Sequence, residues 1–403
     1  MVAQTRLICI TKLLVLSSFT VFKELSVFFS KSKQERIHEI EQQIADFYSI
    51  ATPCVNSDAI VALGNREKFE AGKKQTIEVS LGFTVKSTTS ELLDFLKKQL
   101  AQLANCQFEI SYNVPISEAK LPPVPNVKNI IAVSSGKGGV GKSATSVNLA
   151  FALQQEGARV GILDADIYGP SVPIMLGNPK AHPDSEDQRT MFPLMVEGVA
   201  ANSIGYLVDS DSAAIWRGPM ATKALKQLIY ETKWPLLDYL IVDLPPGTGD
   251  IHLTISQQVP LSASVIVTTP QTIATADAKK GIAMFEKLTI PVLGIVENMS
   301  YFECKCGEKS YPFSQGGSVA LAEQHSTEVL GELPLSNLIR EHADEGKPIV
   351  TALPESNVSQ IYKSIARKVS LKIATTLRPH QLTREQSSKD GKNSVNIQVV
   401  NKT

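Results

Sequence analysis

A glycine-rich stretch between a short apolar run and a helix-like segment constrains this chain more than any other feature. Residues 129–143 read Asn-Ile-Ile-Ala-Val-Ser-Ser-Gly-Lys-Gly-Gly-Val-Gly-Lys-Ser, and their second half fits the pattern G-x-x-x-x-G-K-[ST]. Glycine permits positive φ and has no Cβ, so successive N–H groups can converge on phosphate oxygens at the start of the following helix. The pattern predicts a phosphate-binding loop formed by Gly136, Lys137, Gly138, Gly139, Val140, Gly141, Lys142 and Ser143.

Two residues of this loop, Lys142 and Ser143, indicate that it binds ATP and magnesium. Lys142 would reach the β- and γ-phosphates, and the Ser143 hydroxyl would complete the shell of oxygen ligands around Mg²⁺. A glycine-rich turn with no ligand is the alternative, but the chain has the order of strand, loop and helix that the motif requires. We therefore expect a nucleoside triphosphate site at the start of the helix.

A second lysine, Lys137, directly follows the first glycine of the loop. With it, the segment Gly-Lys-Gly-Gly-Val-Gly-Lys-Ser resembles the deviant Walker A motif of the MinD, ParA and nitrogenase iron protein class of dimeric P-loop ATPases. In that class the additional lysine reaches across the dimer to the partner's nucleotide. The resemblance implies a homodimer that encloses ATP, with Lys137 acting in trans.

Length and composition allow a large core and favour no charged partner. The chain has 403 residues, of which 43% are hydrophobic and 20% charged, as in ordinary globular proteins, and its length favours two domains with tails. Its 40 basic and 40 acidic residues balance, so no net field attracts nucleic acid or an anionic membrane. We expect neither a nucleic acid partner nor a stable membrane span.

Changes in sequence character divide the chain into five segments. Residues 1–36 form an N-terminal extension, 37–117 a small α+β domain, 118–127 a proline-rich linker, 128–377 the ATPase domain and 378–403 a polar tail. The apolar runs of the extension are shorter than the roughly 20 residues needed to cross a membrane. A signal peptide and an organellar transit peptide are alternatives to the interpretation we favour, an extension with no folded role.

Hydrophobic periodicity predicts the fold class. The small domain reads as a helix, a strand, a second helix and a closing strand over residues 37–47, 76–81, 92–103 and 106–114. Beyond the linker, short apolar runs alternate with helix-like segments, a pattern typical of a mostly parallel sheet covered by helices on both faces. We therefore predict an α/β P-loop NTPase fold preceded by a small α+β domain, with ligands at the carboxyl ends of the strands.

Carboxylates follow two of the apolar runs. Asp164 and Asp166 come after the run 160–163, and Asp243 ends the run 239–242. Phosphoryl transfer to water needs a group that positions the water, and Mg²⁺ needs acceptors around its shell. Asp166 resembles the water-orienting switch I aspartate of this ATPase class, Asp164 would support Mg²⁺ or the loop, and Asp243 resembles the Walker B aspartate that holds Mg²⁺ through water. Helix capping is the alternative for Asp164 and Asp166, and it accounts for one of them better than for both.

Further motifs narrow the resemblance to one family. They are Asp-Ala-Asp-Ile-Tyr-Gly-Pro-Ser (164–171), Trp-Arg-Gly-Pro-Met (216–220), Asp-Leu-Pro-Pro-Gly-Thr-Gly-Asp (243–250), Glu-Asn-Met-Ser (297–300) and Ile-Arg-Glu-His-Ala-Asp-Glu-Gly-Lys-Pro-Ile-Val (339–350). Over about residues 128–375 the chain resembles the Mrp/ApbC iron–sulfur cluster carrier ATPases.

This resemblance implies a labile [4Fe–4S] cluster that is bound between two protomers and passed to apoproteins, with a cluster assembly scaffold as a further partner. Asn298 is similar in position to the adenine-reading asparagine of relatives, and an ordinary turn asparagine is the alternative. The place of the small domain, ahead of the ATPase, also resembles that family, and we expect a structural or docking role for it.

Five cysteines are an odd and sparse set that argues against a disulfide scaffold and for a reducing compartment, so we expect a cytoplasmic location.

Of the five cysteines, only Cys304 and Cys306 are close together in the sequence. The family uses a Cys-x-x-Cys after Glu-Asn-Met-Ser, whereas this chain has one residue fewer. Two thiolates from each protomer would still supply the four ligands of a [4Fe–4S] cluster or a zinc ion, because alternate residues of an extended segment share one face about 6 to 7 Å apart. Two ordinary reduced thiols are the alternative.

The leading interpretation is an ATP-hydrolysing iron–sulfur carrier. A positioning ATPase of the MinD/ParA kind, acting on membrane or DNA, is the second, and its support is the basic face of the helix-like segment 357–373, with Lys363, Arg367, Lys368 and Lys372. A helix that closes the sheet with solvated lysines explains the same residues. A third interpretation is a reductase component that uses ATP to gate electron transfer from a permanent cluster.

Overall fold

The computed structural model describes residues 33–49, 76–100, 107–116, 121–187, 189–207, 218–247, 249, 255–304 and 306–388. Most of the predicted N-terminal extension lies outside these ranges, as do Cys9, Cys54 and Cys106. The domain limits of the sequence analysis remain predictions.

The helices of the described residues are α1 (Lys33–Phe47), α2 (Thr89–Gln99), α3 (Lys142–Gln155), α4 (Val172–Met175), α5 (Gly218–Tyr230), α6 (Thr272–Lys287), α7 (Gly317–Gln324), α8 (Asn337–Asp344), α9 (Ile349–Ala352) and α10 (Asn357–Ser388). The strands are β1 (Thr76–Leu81), β2 (Gln107–Tyr112), β3 (Val127–Ser135), β4 (Val160–Asp164), β5 (Leu194–Val196), β6 (Val199–Ser203), β7 (Leu237–Asp243), β8 (Ala263–Thr268), β9 (Val292–Glu297), β10 (Phe302–Glu303), β11 (Lys309–Ser310) and β12 (Val329–Glu332).

Eight strands form one sheet in the order β12-β9-β8-β3-β7-β4-β6-β5. Its pairings are parallel except for the edge pair β5 and β6, which is antiparallel. Strand β3 lies between β7 and β8, so the glycine-rich loop that follows it leaves the sheet near the middle of the carboxyl edge. The predicted fold class, a mostly parallel α/β sheet behind a small α+β unit, is confirmed.

Both faces of this sheet are covered, which explains why its strands are almost continuously apolar. Ile131 and Val133 of β3 face a core shared with α3 and α10, while Ile130 and Ala132 face the opposite core, shared with α5 and α6. Successive side chains of a strand point to opposite faces, so a strand buried on both sides has no polar alternation. The same property made the strands recognisable in the sequence.

The small domain pairs β1 with β2 in parallel and packs α1 and α2 on them. Its core contains Ile40, Ile44, Leu81 and Leu92, and it includes Ala374 from α10 of the ATPase domain. Helix α2 ends at Gln99 rather than at residue 103, and strand β2 ends at Tyr112 rather than at Val114, so both elements end earlier than the sequence predicted.

A buried carboxylate joins the small domain to the helix of the glycine-rich loop. Helix α3 ends in a Schellman motif, in which Gly157 has φ +100° and the N–H of Ala158 donates to the carbonyl of Leu153 at 3.1 Å. The capping residue, Glu156, is fully buried. Its carboxylate accepts hydrogen bonds from the N–H and Oγ of Ser87, at 2.9 and 2.6 Å.

Helix α10 completes this junction. Nη1 of Arg367 lies 3.0 Å from the Glu156 carboxylate and 2.7 Å from Oγ of Ser87. Nearby, the N–H of Thr84 donates to Oγ of Ser370 at 2.8 Å, and the hydroxyl of Tyr239 on β7 contacts the same oxygen at 2.8 Å. These contacts hold the small domain in a specific position against the ATPase domain.

Helix α10 also corrects the predicted tail. The sequence predicted that residues 378–403 form a polar tail beyond the ATPase domain, but α10 continues as a helix to Ser388. Residues 389–403 lie outside the described residues. Across the part of the chain that the structure describes, no helix combines the length and apolar character needed to span a membrane.

The buried Glu156 junction generates a stability prediction. Replacing Arg367 with alanine leaves the buried carboxylate with Ser87 as its remaining side-chain partner, and we expect the free energy of unfolding to fall by about 2 kcal/mol. The loss is smaller than for a fully buried ion pair because the arginine is partly solvent-exposed. Equilibrium urea unfolding measures the change. Lys363→Ala is the matched control, since its ammonium donates to an exposed carbonyl of Pro354, and it should change stability by less than about 0.5 kcal/mol. Equal effects of the two substitutions would contradict the role of the junction.

Candidate functional site

The glycine-rich loop connects β3 to α3 with the backbone that a phosphate site requires. Gly139 and Gly141 have φ +81° and +84°, in the left-handed region, and Gly141 caps the N-terminus of α3. A Cβ on Gly136 would collide with the backbone of α6 at Asp277. The loop therefore combines positive φ, close packing and free N–H groups at a helix N-terminus, which suit an anion.

At the first turn of α3, a lysine and two hydroxyls converge on one carboxylate. Nζ of Lys142 lies 2.8 Å from Oδ2 of Asp243, and Oγ of Ser143 donates to the same oxygen at 2.6 Å. Oγ of Ser146 donates to the other oxygen, Oδ1, at 2.6 Å. Asp243 is fully buried and Lys142 nearly so. The structure thus brings the predicted Walker A and Walker B residues into direct contact.

Asp164 supports the loop that follows β4. Its fully buried carboxylate accepts hydrogen bonds from the N–H groups of Asp166 and Val172 and from Oγ of Ser203, each at 3.1 Å. Burial, together with the nearby charge of Asp243, raises the pKa of Asp164 to about 7. Of the two roles predicted for this residue, its contacts favour support of the loop.

Asp166 has an oxygen without a partner. One carboxylate oxygen, Oδ2, lies 3.9 Å from Nζ of Lys142, while Oδ1 is buried and has no hydrogen-bond partner among the described residues. Burial raises the pKa of the carboxyl, and the charge of Lys142 opposes that shift. A buried acceptor next to a cation fits a water molecule or a hydrated cation as its partner.

The same corner fits magnesium by the chemistry of its donors. Ser143, Asp243 and Asp166 present oxygen atoms, the ligands that Mg²⁺ prefers. Within the described ranges, no group of three or more His, Cys, Asp or Glu side chains is arranged to hold a metal ion. A magnesium ion here would therefore take further ligands from phosphate and water, as it usually does.

Lys137 lies on the outer side of the loop. Its ammonium donates to Oε1 of Gln271 at 3.3 Å, and Gln271 precedes the first residue of α6. The carbonyl of Lys137 accepts a hydrogen bond from Oγ of Ser135 at 2.9 Å. The side chain is half-buried and stands apart from the cluster around Asp243, so the two lysines of the motif have different surroundings.

Asn298 contacts the glycine-rich loop itself. Its side-chain amide donates to the carbonyl of Val140 at 2.9 Å and is buried, and a Cβ on Gly141 would collide with it. The backbone N–H of Asn298 donates to the carbonyl of Thr268 at 2.8 Å. The contacts go beyond those of an ordinary turn asparagine, and recognition of adenine remains a prediction.

Cys304 and Cys306 lie at the tip of a short hairpin. Strands β10 and β11 pair in antiparallel fashion, and the tip is closed by hydrogen bonds from the N–H of Cys304 to the carbonyl of Glu308 and from the N–H of Gly307 to the carbonyl of Cys304, at 3.0 and 2.9 Å. Gly307 has φ +85°. Cys306 is exposed and Cys304 half-buried.

The two sulfur atoms form a disulfide, whereas the sequence predicted reduced cysteines that bind an iron–sulfur cluster or zinc, with two ordinary reduced thiols as the alternative. The predicted extended segment is replaced by a turn at this point, which brings the Cα atoms of the two cysteines to 5.3 Å. The turn places both side chains on the same side of the tip. Exposed apolar side chains lie on and beside the hairpin: Phe302 on β10, Tyr311 directly after β11, and Leu335, whose N–H donates to the carbonyl of Tyr301.

Three site residues were missed by the sequence analysis. Ser146 lies one helical turn after Ser143, so both hydroxyls are on one face of α3. This spacing could have identified Ser146 as a site residue. Gln271 and Ser203 lie just after β8 and at the end of β6, at the same edge of the sheet as the loop. Nothing in their local sequence sets them apart from ordinary polar residues.

The basic face of α10, which supported a membrane or DNA function, is occupied within the chain. Nζ of Lys363 and of Lys368 donate to the carbonyls of Pro354 and Leu330, each at 3.0 Å. Lys372 pairs with Glu328 at 3.3 Å, and Arg367 pairs with buried Glu156. These four cations make contacts within the chain, as expected of a helix that packs on the sheet.

Comparison with known proteins gives consistent results. The chain matches the ParA family described as NUBPL iron-transfer P-loop NTPase over residues 126–370. The iron–sulfur cluster carrier protein of Haemophilus influenzae is 47% identical over 357 residues, which cover 87% of this chain and 95% of the relative. The corresponding protein of Escherichia coli K12 is 51% identical, over 74% of this chain and 82% of the relative. The mouse iron–sulfur cluster transfer protein NUBPL is 46% identical, over 62% and 79%.

A solved structure gives the same result for the fold. A nucleotide-binding protein of Archaeoglobus fulgidus in complex with ADP superposes with a TM-score of 0.52 at 36% identity, and the match covers 59% of this chain and 93% of that one. The chain therefore belongs to the ParA family of NUBPL-type iron-transfer P-loop NTPases.

Proposed function

We propose that this chain is an ATPase that carries an iron–sulfur cluster and transfers it to apoproteins. The observation that carries the proposal is that one chain combines a phosphate loop, whose Lys142 and Ser143 contact the buried Asp243, with a pair of adjacent cysteines at the tip of a hairpin. Both belong to the same edge of the sheet, since β9 ends at Glu297 and leads through Asn298 into the hairpin. Nucleotide chemistry and cargo binding therefore share structural elements.

Lys142, Ser143 and the loop N–H groups hold the phosphates of ATP. Mg²⁺, held by Ser143 and through water by Asp243, would neutralise charge on the phosphates. Asp166 orients the attacking water with its unpartnered oxygen, a role supported by its position beside Lys142. Asp164 keeps the Asp166 loop in place through its three hydrogen bonds.

Lys137 acts on the nucleotide of a second copy of the chain. Its place outside the Asp243 cluster supports this role, because a lysine that served its own site would be expected to join that cluster. A charge supplied in trans stabilises the transition state without being needed for ground-state binding. The active form is accordingly a homodimer that encloses ATP.

The cargo is a [4Fe–4S] cluster bound by Cys304 and Cys306 of two chains. One chain offers two sulfur atoms, and a cluster of this type takes four thiolates, so two chains complete the site. The exposed Phe302 and Tyr311 beside the hairpin support a protein contact at this surface. The pair must be reduced before it binds, because a disulfide has no thiolate to offer. A reducing location such as the cytoplasm would maintain that state.

The first prediction separates the two lysines. Lys142→Ala should weaken ATP binding by roughly tenfold or more, because it removes a charged contact to phosphate. Lys137→Ala should leave the Kd within about threefold but lower kcat by about 100-fold. Isothermal titration and phosphate release measure the two quantities, and Lys280→Ala, an exposed lysine paired with Asp277 on α6, is the control. Wild-type turnover in the Lys137→Ala protein would contradict a role of Lys137 at the nucleotide of the second chain.

Mixing the two variants tests the dimer directly. A mixed dimer carries one complete site, because the Lys142→Ala chain donates Lys137 to the intact Lys142 of its partner. The mixture should regain up to about a quarter of the wild-type rate, since about half of the dimers in a random mixture are mixed and each has one working site of two. No recovery, when co-purification of differently tagged chains shows mixed dimers, would contradict catalysis in trans.

A second prediction assigns the carboxylates. Asp166→Asn should keep the Kd for Mg–ATP within about threefold and slow single-turnover hydrolysis by about 100-fold, because water positioning is lost. Asp243→Asn should weaken binding in the presence of Mg²⁺ much more than in its absence. The reverse pattern would exchange the two roles. Thermal unfolding of each variant checks that the fold is retained.

A third prediction concerns the cargo. After reduction and anaerobic reconstitution with iron and sulfide, the chain should hold about four iron atoms per dimer with an oxygen-sensitive visible absorption. Cys304→Ala and Cys306→Ala should each lose that iron, whereas Cys54→Ala should retain it. Iron counting and light scattering provide the measurement. Zinc that iron cannot displace, or full iron loading of the Cys304→Ala chain, would reject the cluster site.

A further inference from the structure

The disulfide between Cys304 and Cys306 lies where a soluble thiol or disulfide can reach it. The hairpin tip projects Cys306 to solvent, whereas Cys304 is half-buried. The hydrogen bonds of Cys304 with Glu308 and Gly307 close the tip around the two sulfur atoms. They also hold the Cα atoms 5.3 Å apart, within the usual range for a disulfide, so the bond needs no rearrangement of the hairpin.

We propose that Cys304 and Cys306 form a reversible dithiol–disulfide couple that exchanges two electrons with small thiols and disulfides of the glutathione type. In the oxidised state the pair offers no thiolate, so the couple also decides whether the chain can accept its cargo. That last consequence rests on the proposed carrier function, whereas the exchange reaction itself does not.

The oxidation balances as a thiol–disulfide exchange. A thiolate of the pair attacks one sulfur of glutathione disulfide, forms a mixed disulfide and releases one glutathione thiolate. The second cysteine then attacks the protein sulfur of the mixed disulfide, forms the Cys304–Cys306 bond and releases the second glutathione. Two electrons pass from the protein sulfurs to the glutathione sulfurs, and the two protons of the dithiol leave with the two glutathione thiols.

The surroundings of the two sulfur atoms assign different roles to them. Because Cys306 is the exposed member, an incoming thiol attacks its sulfur in the reductive direction, and Cys304 is the leaving group. The N–H of Cys306 lies 3.3 Å from Sγ of Cys304 and donates to it, a contact that stabilises negative charge on the departing sulfur. In the oxidative direction, Cys306 forms the mixed disulfide and Cys304 resolves it.

The sequence provides a direct assay for the bond. Lys305 lies between the cysteines, so trypsin separates Cys304, in the peptide 288–305, from Cys306, in the peptide 306–309. The metal-free full chain is equilibrated at a series of ratios of glutathione disulfide to glutathione, quenched with an alkylating agent, denatured and digested. We expect the two peptides to change from separate and alkylated to joined in one reversible transition. Chain-to-chain disulfides or glutathione adducts as the main product, or free thiols at every ratio, would overturn the couple.

Two variants test the assigned roles. Cys304→Ala retains the exposed sulfur and should form a glutathione adduct several-fold faster than Cys306→Ala, which retains the half-buried one. Equal rates, or the reverse order, would overturn the assignment of attack at Cys306. Both variants keep Gly307 and the hairpin strands, and circular dichroism checks that the fold is unchanged.

A metal titration separates the couple from the carrier function. Co²⁺ is added to reduced and to oxidised wild-type protein, with no thiol or sulfide present, and thiolate-to-metal absorption is recorded. The reduced protein should develop the band and the oxidised protein less than about a tenth of it, with recovery after reduction and removal of the reductant. An equal band in both forms would overturn the control of metal binding by the couple. Failure of cluster reconstitution with reduced protein would instead reject the carrier function and leave the exchange reaction intact.

Discussion

The buried carboxylate of Asp243 is the interaction on which the site depends. It ends β7, a central strand, and a charge there is costly unless it is paired and hydrogen-bonded. Lys142, Ser143 and Ser146 provide that compensation from the first turns of α3. The contacts fix the orientation of α3 against the sheet, and with it the glycine loop that leads into the helix. Phosphate binding therefore depends on the same contacts that compensate the buried charge of Asp243.

A second set of contacts ties the loop to the cysteine hairpin. Asn298 donates to the carbonyl of Val140 in the loop, and its neighbour Glu297 accepts hydrogen bonds from Ser300 and from the N–H of Ser318 at the start of α7. The hairpin begins two residues after Ser300. The side chains of Asn298 and Glu297 thus connect the glycine loop to the strand end from which the hairpin starts.

The sequence was informative where one local pattern determines the structure. The strands buried on both faces have continuous apolar runs, and the loop 136–143 carries its geometry in its glycines, so both were predicted. Strand β6, Val-Ala-Ala-Asn-Ser, was not, because small residues that fit beside Gly161 have no strong periodicity. The pairing of Ser87 with Glu156, 69 residues apart, has no local signature at all.

The cysteine pair shows a different limit of sequence analysis. Its position after Glu-Asn-Met-Ser was recognised, but its geometry followed from an assumed extended segment. The backbone turns at Gly307, with positive φ, and this turn places the sulfur atoms in contact. A glycine after a Cys-x-Cys is a weak signal for such a turn, and its effect depends on the pairing of β10 with β11, which are only two residues long each.

Helix α10 belongs to two cores at once, and this has a consequence for how the chain is made. The small domain is synthesised first, yet Thr84 finds its partner Ser370 286 residues later, and Ala374 fills a place in the small domain's core. Domains usually fold as they leave the ribosome, in order from the N-terminus. The contacts of the small domain with α10 therefore cannot form until residues 370–374 have been synthesised.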